Sequence, residues 1–281
     1  MPALTDLSDI INRVTGGSDG TPEHLFFWKD ARIGAATAPS HVAGRAASLW
    51  QYNGVPAGGA VPGAVAVPTN ATVGSLLQVN PGGAREKWLL GMTAASFSAA
   101  MGGMLILYDR LLHIGGLSGT VITAQSVGGT LTRNTDGLGN QIWIEIYTAI
   151  GTTGTTVTAS YTNEAGASGR TTIATAIGGT GFLEATRIIM LPLAGGDRGV
   201  QAVASVTLAA STGTAGNFGV TVARPLASLP IAMGGVGNVR DFISGLPSII
   251  KIDTNACLVL AFLPNGTAVP QIIGSLHFVE K

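Results

Sequence analysis

The residues of this chain that could carry hydrolytic chemistry include one serine in a recognisable pattern. Ser18 lies within Gly16–Gly20, which matches the G-x-S-x-G arrangement of a nucleophilic serine. That arrangement needs a strand before it and a helix after it, so that the hydroxyl stands exposed above a sheet. Here a predicted helix precedes the pattern and Thr21-Pro22 follows it. We therefore interpret this segment as a loop.

Metal binding would need histidines, cysteines or carboxylates that are grouped in the fold. The four histidines are far apart and lack the short spacing typical of zinc ligands: His24, His41, His113 and His277. Cys257 is the only cysteine, which excludes an intramolecular disulfide and a multi-cysteine metal site. It lies in the apolar run Ala256–Leu260 with no neighbouring base to activate it, so we expect a small buried hydrophobic side chain.

Glycoside hydrolysis would need paired carboxylates and an aromatic lining. The candidate carboxylates are Glu145, Glu164, Glu184 and Asp197. The strands supply few aromatic residues to line a sugar site. No phosphate-binding loop is present, and Gly235-Val236-Gly237 is too short for a dinucleotide fingerprint. The sequence thus predicts no catalytic, cofactor-binding or metal-binding residue, no cofactor and no enzyme activity.

The composition narrows the classes of partner. Of 281 residues only 11% are charged, whereas about a quarter is usual, and fifteen Lys+Arg balance fifteen Asp+Glu. Because 46% of the residues are hydrophobic, the chain is expected to fold around a sizeable core. The absence of any basic excess argues against a nucleic-acid partner. The uncharged stretch from Trp88 to Tyr108 has the length of a membrane span, but its glycines and hydroxyl side chains, and equally uncharged stretches elsewhere, predict no membrane partner.

The N-terminal region, residues 1–53, carries a helix signal and an aromatic cluster. Leu4, Leu7, Ile11 and Val14 recur at helical spacing before Gly16-Gly17. The cluster His24–Trp28 follows. It is interpreted either as part of the local core or as an anchor on a neighbouring subunit.

Residues 54–83 form a predicted extended arm. The segment contains Pro56, Pro62, Pro68 and Pro81, which exclude a helix or a central strand over most of its length. Its many valines and alanines indicate that it lies against an apolar surface. That surface belongs either to its own domain or to a partner.

Residues 84–281 are predicted to form a β domain. Gln141–Ile150 alternates with Ile142, Ile144 and Ile146 on one face, the period of a half-buried strand. Eight further runs are bounded by glycine-rich turns: 157–162, 170–177, 185–193, 200–208, 218–224, 249–252, 257–262 and 272–279. The predicted fold class is mainly β, a jelly-roll type β-sandwich with a short helical N-terminal region and an extended Pro/Gly-rich arm. A β-barrel or an immunoglobulin-like sandwich is the alternative.

The chain resembles virion proteins of tailed bacteriophages. The likeness lies in Thr/Gly/Ala-rich strands with few charges, as in Ser160–Arg170, combined with a helical start and a Pro/Gly-rich arm. Within that group it is most similar to jelly-roll proteins that decorate, or cement, the capsid. The resemblance implies a non-enzymatic homotrimer on the capsid surface of the virion, assembled in the host cytoplasm, that bridges capsomers. Its partners would be itself and the major capsid protein or other virion proteins, and no functional residue is assigned by the likeness.

Two other interpretations stay open. The chain could be another virion structural component, such as a major capsid, neck, tail or baseplate protein. It could also be a glycan-binding adhesion module, which would expose aromatic residues on loops.

Overall fold

The structure, a computed structural model, describes residues 7–14, 22–33, 41–98, 102–243 and 249–280. Within these ranges there is one α-helix, α1 (Leu7–Val14), and the other regular elements are strands. In chain order the strands are β1 (Glu23–Asp30), β2 (Ala47–Ser48), β3 (Gly54–Val55), β4 (Lys87–Ser96), β5 (Gly103–Leu117), β6 (Gln125–Ser126), β7 (Gln141–Thr148), β8 (Thr155–Asn163), β9 (Arg170–Thr171), β10 (Thr175–Ile177), β11 (Ile188–Leu191), β12 (Val200–Leu208), β13 (Asn217–Ile231), β14 (Asn238–Asp241), β15 (Ile250–Ile252), β16 (Leu258–Pro264) and β17 (Gln271–Glu280).

The strands form three sheets in which the paired strands are antiparallel. Sheet 1 has the order β14-β4-β17-β1-β3, with β15 also beside β4. Sheet 2 has the order β11-β7-β13-β5-β16-β2. Sheet 3 has the order β10-β8-β12-β6, with β9 also beside β8.

Sheet 2 closes on itself through its short last strand. β2 pairs with β16 on one side, where Ala47 lies opposite Phe262. On the other side the Ser48 amide donates to the Thr186 carbonyl (2.8 Å), and the Ile188 amide donates to the Ala46 carbonyl (2.8 Å). These bonds join β2 to the start of β11, so the first and last strands meet and the sheet encloses an interior.

Successive side chains along the strands of sheet 2 point to opposite faces, so this sheet contributes to three separate hydrophobic cores. Core 1 lies between sheets 1 and 2 and contains Phe27 and Leu107. Core 2 lies between sheets 2 and 3 and contains Ile144 and Val206. The enclosed interior of sheet 2 forms core 3, which contains Trp50, Tyr108, Trp143, Cys257 and Val259.

Two fifteen-residue strands, β5 and β13, contribute to both sandwiches. The early part of β5 supplies Leu105 to core 1, and its later part supplies Leu112 to core 2. The pairing of β13 with β5 shifts register between Val222 and Ala223 and again between Pro225 and Ala227. Such bulges bend a strand, which lets one strand contribute to two differently placed cores.

The predicted fold class is confirmed, because the chain is mainly β and its antiparallel sheets stack as sandwiches. All nine predicted strand regions contain strands, and the predicted helix is present over Leu7–Val14 as α1, whereas Leu4 lies outside the described residues. α1 packs Ile10 against Leu90 and Val279 of sheet 1. One detail was wrong: β7 is buried on both faces, because the face that carries Trp143 points into the closed interior of sheet 2.

The N-terminal aromatic cluster forms β1, which the sequence patterns did not reveal. β1 pairs along its whole length with β17, from Glu23 opposite Phe278 to Asp30 opposite Gln271. A strand from residues 1–53 thus lies in the same sheet as strands from residues 84–281. The uncharged stretch from Trp88 to Tyr108 lies largely in β4 and β5, and none of the described helical residues forms a segment long and apolar enough to cross a membrane.

Candidate functional site

The interior of sheet 2 holds a buried ion pair. Arg110 of β5 places its Nη2 atom 2.6 Å from Oε2 of Glu145 on β7, and both side chains are almost completely buried. Thr221 of β13 donates its hydroxyl to the same Glu145 oxygen (2.9 Å). Burial opposes ionisation, but Arg110 and these hydrogen bonds hold the pKa of Glu145 below its usual value. The carboxylate is therefore a charged partner inside the fold.

His113 and Trp50 enclose the other side of the Arg110 guanidinium. The Nε group of Arg110 donates to Nδ1 of His113 (2.8 Å), and the guanidinium lies 4.6 Å from the Trp50 ring centre. Burial, together with the neighbouring Arg110 charge, lowers the pKa of His113 to about 3. A neutral histidine that accepts a bond from arginine has a structural role in this cluster.

The other candidate carboxylates each bind their own neighbours. Asp197 accepts bonds from Arg170 (2.8 Å), Tyr161 and Asn163, and these bonds, led by the one from Arg170, lower its pKa to about 2. Glu164 accepts the backbone amides of residues 198 and 199, and Glu184 pairs with Arg45. Glu145 lies inside sheet 2, whereas Glu164 and Asp197 lie beside β8 and β12. The structure thus does not bring Glu145 together with the others as a catalytic pair.

The histidines and the cysteine are also separated. His41 accepts or donates a bond with the Tyr52 hydroxyl (2.9 Å), and His24 stacks on His277 with 4.6 Å between ring centres. Among the described residues, no three His, Cys, Asp or Glu side chains are close enough together to hold a metal ion. Cys257 is buried in core 3, as predicted, and burial raises the pKa of its thiol to about 12. The pattern Gly16–Gly20 lies outside the described residues.

The predicted arm, residues 54–83, lies against its own chain. Ala66 and His113 exchange two backbone hydrogen bonds of 2.9 Å, and the Leu76 amide donates to the Leu258 carbonyl (2.8 Å). The Pro62 carbonyl lies so close to Gly115 that a Cβ on that residue would be only 2.3 Å from it. Of the two surfaces that the sequence left open, the arm occupies the one on its own body.

Side chains of the body also hold the arm. Trp50 donates its indole N–H to the Ala60 carbonyl (2.8 Å), and Arg133 donates to the Pro68 carbonyl (3.0 Å). Lys29 donates to the Pro56 carbonyl (2.8 Å), and burial lowers the pKa of this lysine to about 8. These donors come from buried or nearly buried side chains, so the path of the arm is fixed by the body.

The outward face of the arm is apolar and uncharged. No Asp, Glu, Lys or Arg occurs between residues 54 and 83. Val73 and Val79 are 62% and 66% exposed, and four more large apolar side chains of the arm are also exposed: Val55, Val61, Val65 and Leu77. We call these six residues the arm surface.

The aromatic cluster of β1 divides between core 1 and the exposed surface of sheet 1. Leu25 and Phe27 point into core 1, whereas Phe26 and Trp28 lie on the exposed face of sheet 1. Trp28 lies opposite Val55, the first residue of the arm surface. The outward face of β1 and the start of the arm are therefore neighbours.

Comparison with known proteins gave no match to a family model and none to a curated protein. Three solved structures of infectious bursal disease virus each align over 94% of this chain at 9% identity. The VP2 subviral particle has a TM-score of 0.19, and the alignment covers 81% of that chain. The T=1 particles derived from the virus have a TM-score of 0.18 with 78% of that chain covered. The Gt strain structure has a TM-score of 0.11 with 43% of that chain covered. TM-scores this low do not establish a shared fold, so the architecture of this chain is described by its own sheets and cores.

Proposed function

We propose that this protein is a non-enzymatic structural component of a virion that assembles with copies of itself and stabilises the capsid from its outer surface. In this proposal it forms a homotrimer in the host cytoplasm and bridges neighbouring capsomers. The arm surface is the contact with the next copy or with the capsid protein.

The observation that carries the proposal is the arm surface itself. Six exposed large apolar side chains lie on a segment that is uncharged and anchored to the body. Exposed apolar surface of this kind is characteristic of protein contact sites when it is contiguous. Because the arm is already ordered on its own body, its docking would cost less conformational entropy than the docking of a flexible segment.

The distribution of charge favours the same conclusion. Several charged groups are used inside the fold: Arg110 pairs with Glu145, Arg133 with Asp109, and Lys87 with Glu23 and Glu280. A chain with 11% charged residues that buries part of them has few charges left for its exterior. Cyclic association of identical copies would cover the apolar exterior and stop at a closed ring.

Light scattering of the purified chain with a matched pair of variants tests the association. We expect a mass three times 28.3 kDa. The double change Val73→Asp and Val79→Asp should give monomers, because it places charge on the arm surface. Ile122→Asp adds charge at a similarly exposed apolar residue outside the arm and should leave the trimer intact. A wild-type monomer, or equal behaviour of the two variants, would refute the role of the arm surface.

The capsid location needs a separate measurement. Mass spectrometry should detect the chain in purified virus particles, and an antibody to it should decorate their outer surface in electron micrographs. Particles that lack the chain, or label that appears only at a neck or tail, would reject the decoration role. A positive result at the tail would favour the alternative of another virion component.

A further inference from the structure

A groove of about 450 Å³ lies at one end of the closed sheet 2. Ile106, Trp143 and Met190 form one wall and belong to strands that also line core 3. Leu226, Phe242 and Ile250 also line the groove. The size falls in the range of small-molecule sites, which often occupy the open end of a closed sheet.

Trp143 lines the groove and packs on a second aromatic ring of core 3. Trp143 and Tyr108 pack with 4.7 Å between ring centres. Trp143 is almost fully buried, and its indole N–H donates to Oε1 of Gln141 (2.8 Å). Trp143 therefore connects the groove to core 3, whereas Arg110 and Glu145 are not among the residues that line it.

Two of the side chains that line the groove, Arg240 and Gln141, carry hydrogen-bond donors, and Arg240 is cationic. Arg240 donates Nη1 to the Ser228 carbonyl (2.8 Å), and its guanidinium lies 5.5 Å from the Phe242 ring centre. None of the ion pairs among the described residues includes Arg240. Gln141 uses its oxygen for Trp143, so its amide N–H groups remain as donors. Among the residues that the structure describes, none of those that line the groove is an aspartate or glutamate.

We propose that this groove binds an amphipathic carboxylate, such as a medium-chain fatty acid. The apolar body would lie against Ile106, Met190 and Leu226, where its removal from water favours binding. The carboxylate would accept hydrogen bonds from the Nε and Nη2 groups of Arg240. The bond to Ser228 and the contact with Phe242 hold the guanidinium in place, which lowers the entropy cost of that contact.

Three probes distinguish the apolar part of this site from the Arg240 part: decanoate, decanol and butyrate. Each is titrated into the full chain in a calorimeter, below any concentration at which it forms micelles. We expect decanoate to bind, decanol to bind about tenfold more weakly because it lacks the charge, and butyrate to show no binding because it lacks the chain. Arg240→Gln should reduce decanoate affinity about tenfold to the level of decanol and leave decanol affinity unchanged. The unchanged affinity for decanol shows that the variant has kept its groove.

Two further variants complete the test. Arg224→Gln changes another arginine that also donates to a backbone carbonyl but does not line the groove, and it should bind decanoate as the wild type does. Ala227→Phe fills the groove and should abolish binding of both ten-carbon probes. The proposal is overturned if decanoate does not bind, if Arg240→Gln weakens both ten-carbon probes equally, or if Ala227→Phe still binds them. None of these outcomes depends on whether the protein is a trimer or part of a virion.

Discussion

Arg110 on β5 and Glu145 on β7 form an ion pair across the intervening strand β13, with 2.6 Å between nitrogen and oxygen. Both side chains point into the closed interior of sheet 2, and Thr221 of β13 donates to Glu145 between them. The pair therefore links three adjacent strands from the inside. Its removal offers the most direct test of the closed sheet.

Glu145→Gln should destabilise the protein by about 3–5 kcal/mol, because it leaves the Arg110 charge buried without its partner. Urea unfolding followed by circular dichroism measures the change. The control is Glu164→Gln: the ion pair of Glu164 with Arg198 spans 3.7 Å and involves a largely exposed arginine, so its loss should cost well under that amount. Equal losses in both variants would contradict the buried position of Glu145.

The stability should fall as the pH is lowered from 6.5, in part because of His41. Burial lowers the pKa of His41 from 6.5 to about 4. Between these values His41 takes up a proton in the unfolded chain but not in the folded chain. The contribution of neutral His41 to the free energy of unfolding is therefore fully present above pH 6.5 and is lost as the pH falls towards 4. From pH 7 to 4.5 this one residue should account for about 2–3 kcal/mol.

His41→Gln isolates this contribution. The variant loses the ring that contacts Tyr52, so it should be less stable at pH 7, but its unfolding free energy should change less between pH 7 and 4.5. Other groups, including Asp109, whose pKa is raised by burial, titrate alike in both proteins. Their contributions to the pH dependence therefore cancel when the two proteins are compared. Identical pH dependence in the two proteins would show that His41 is not buried as described.

Gly115→Ala should displace the arm from its contact with β5. The new Cβ would lie 2.3 Å from the Pro62 carbonyl, a distance that requires the backbone of the arm to move. We expect faster cleavage within residues 54–83 by thermolysin and a lower urea midpoint. Gly195→Ala is the control, since a Cβ there meets nothing within 4 Å, and it should behave as the wild type. An unchanged cleavage rate for Gly115→Ala would contradict the close packing of the arm on β5.

Cys257 should not react with a thiol reagent in the folded protein. Burial raises its pKa to about 12, so the reactive thiolate is scarce, and the side chain is enclosed in core 3. Ellman's reagent should label less than a tenth of the chain natively and all of it in denaturant. Rapid labelling of the native protein would mean that core 3 opens to solvent.

Local patterns were sufficient to predict many individual strands. Gln141–Thr148 and Val200–Leu208 were recognisable because a strand places alternate residues on opposite faces, which leaves a period of two in the sequence. The burial of Cys257 followed from its apolar neighbours. The predicted absence of catalytic and metal-binding residues stays a prediction.

β1 and the face of Trp143 show what the local patterns missed. His24–Trp28 is a continuous run of aromatic and apolar residues, so it shows no alternation of polar and apolar residues, and its pairing with distant strands, mainly β17, makes it a strand. Trp143 and Glu145 looked exposed because polar residues interrupt that face of β7. They are buried because β2 pairs with β16 on one side and with residues 186–188 on the other, which closes the sheet over them.

The sequence by itself determined the β class, the positions of most strands and turns, and the lack of charged residues in the arm. Only the tertiary structure decided that the arm lies on its own body, that Arg110 meets Glu145, and that Arg240 lines a groove beside Trp143. These features depend on contacts between residues that are far apart along the chain. Such contacts depend on the register between distant strands, on the closure of sheet 2 and on the stacking of the other sheets against it. No local pattern of residue types encodes that register.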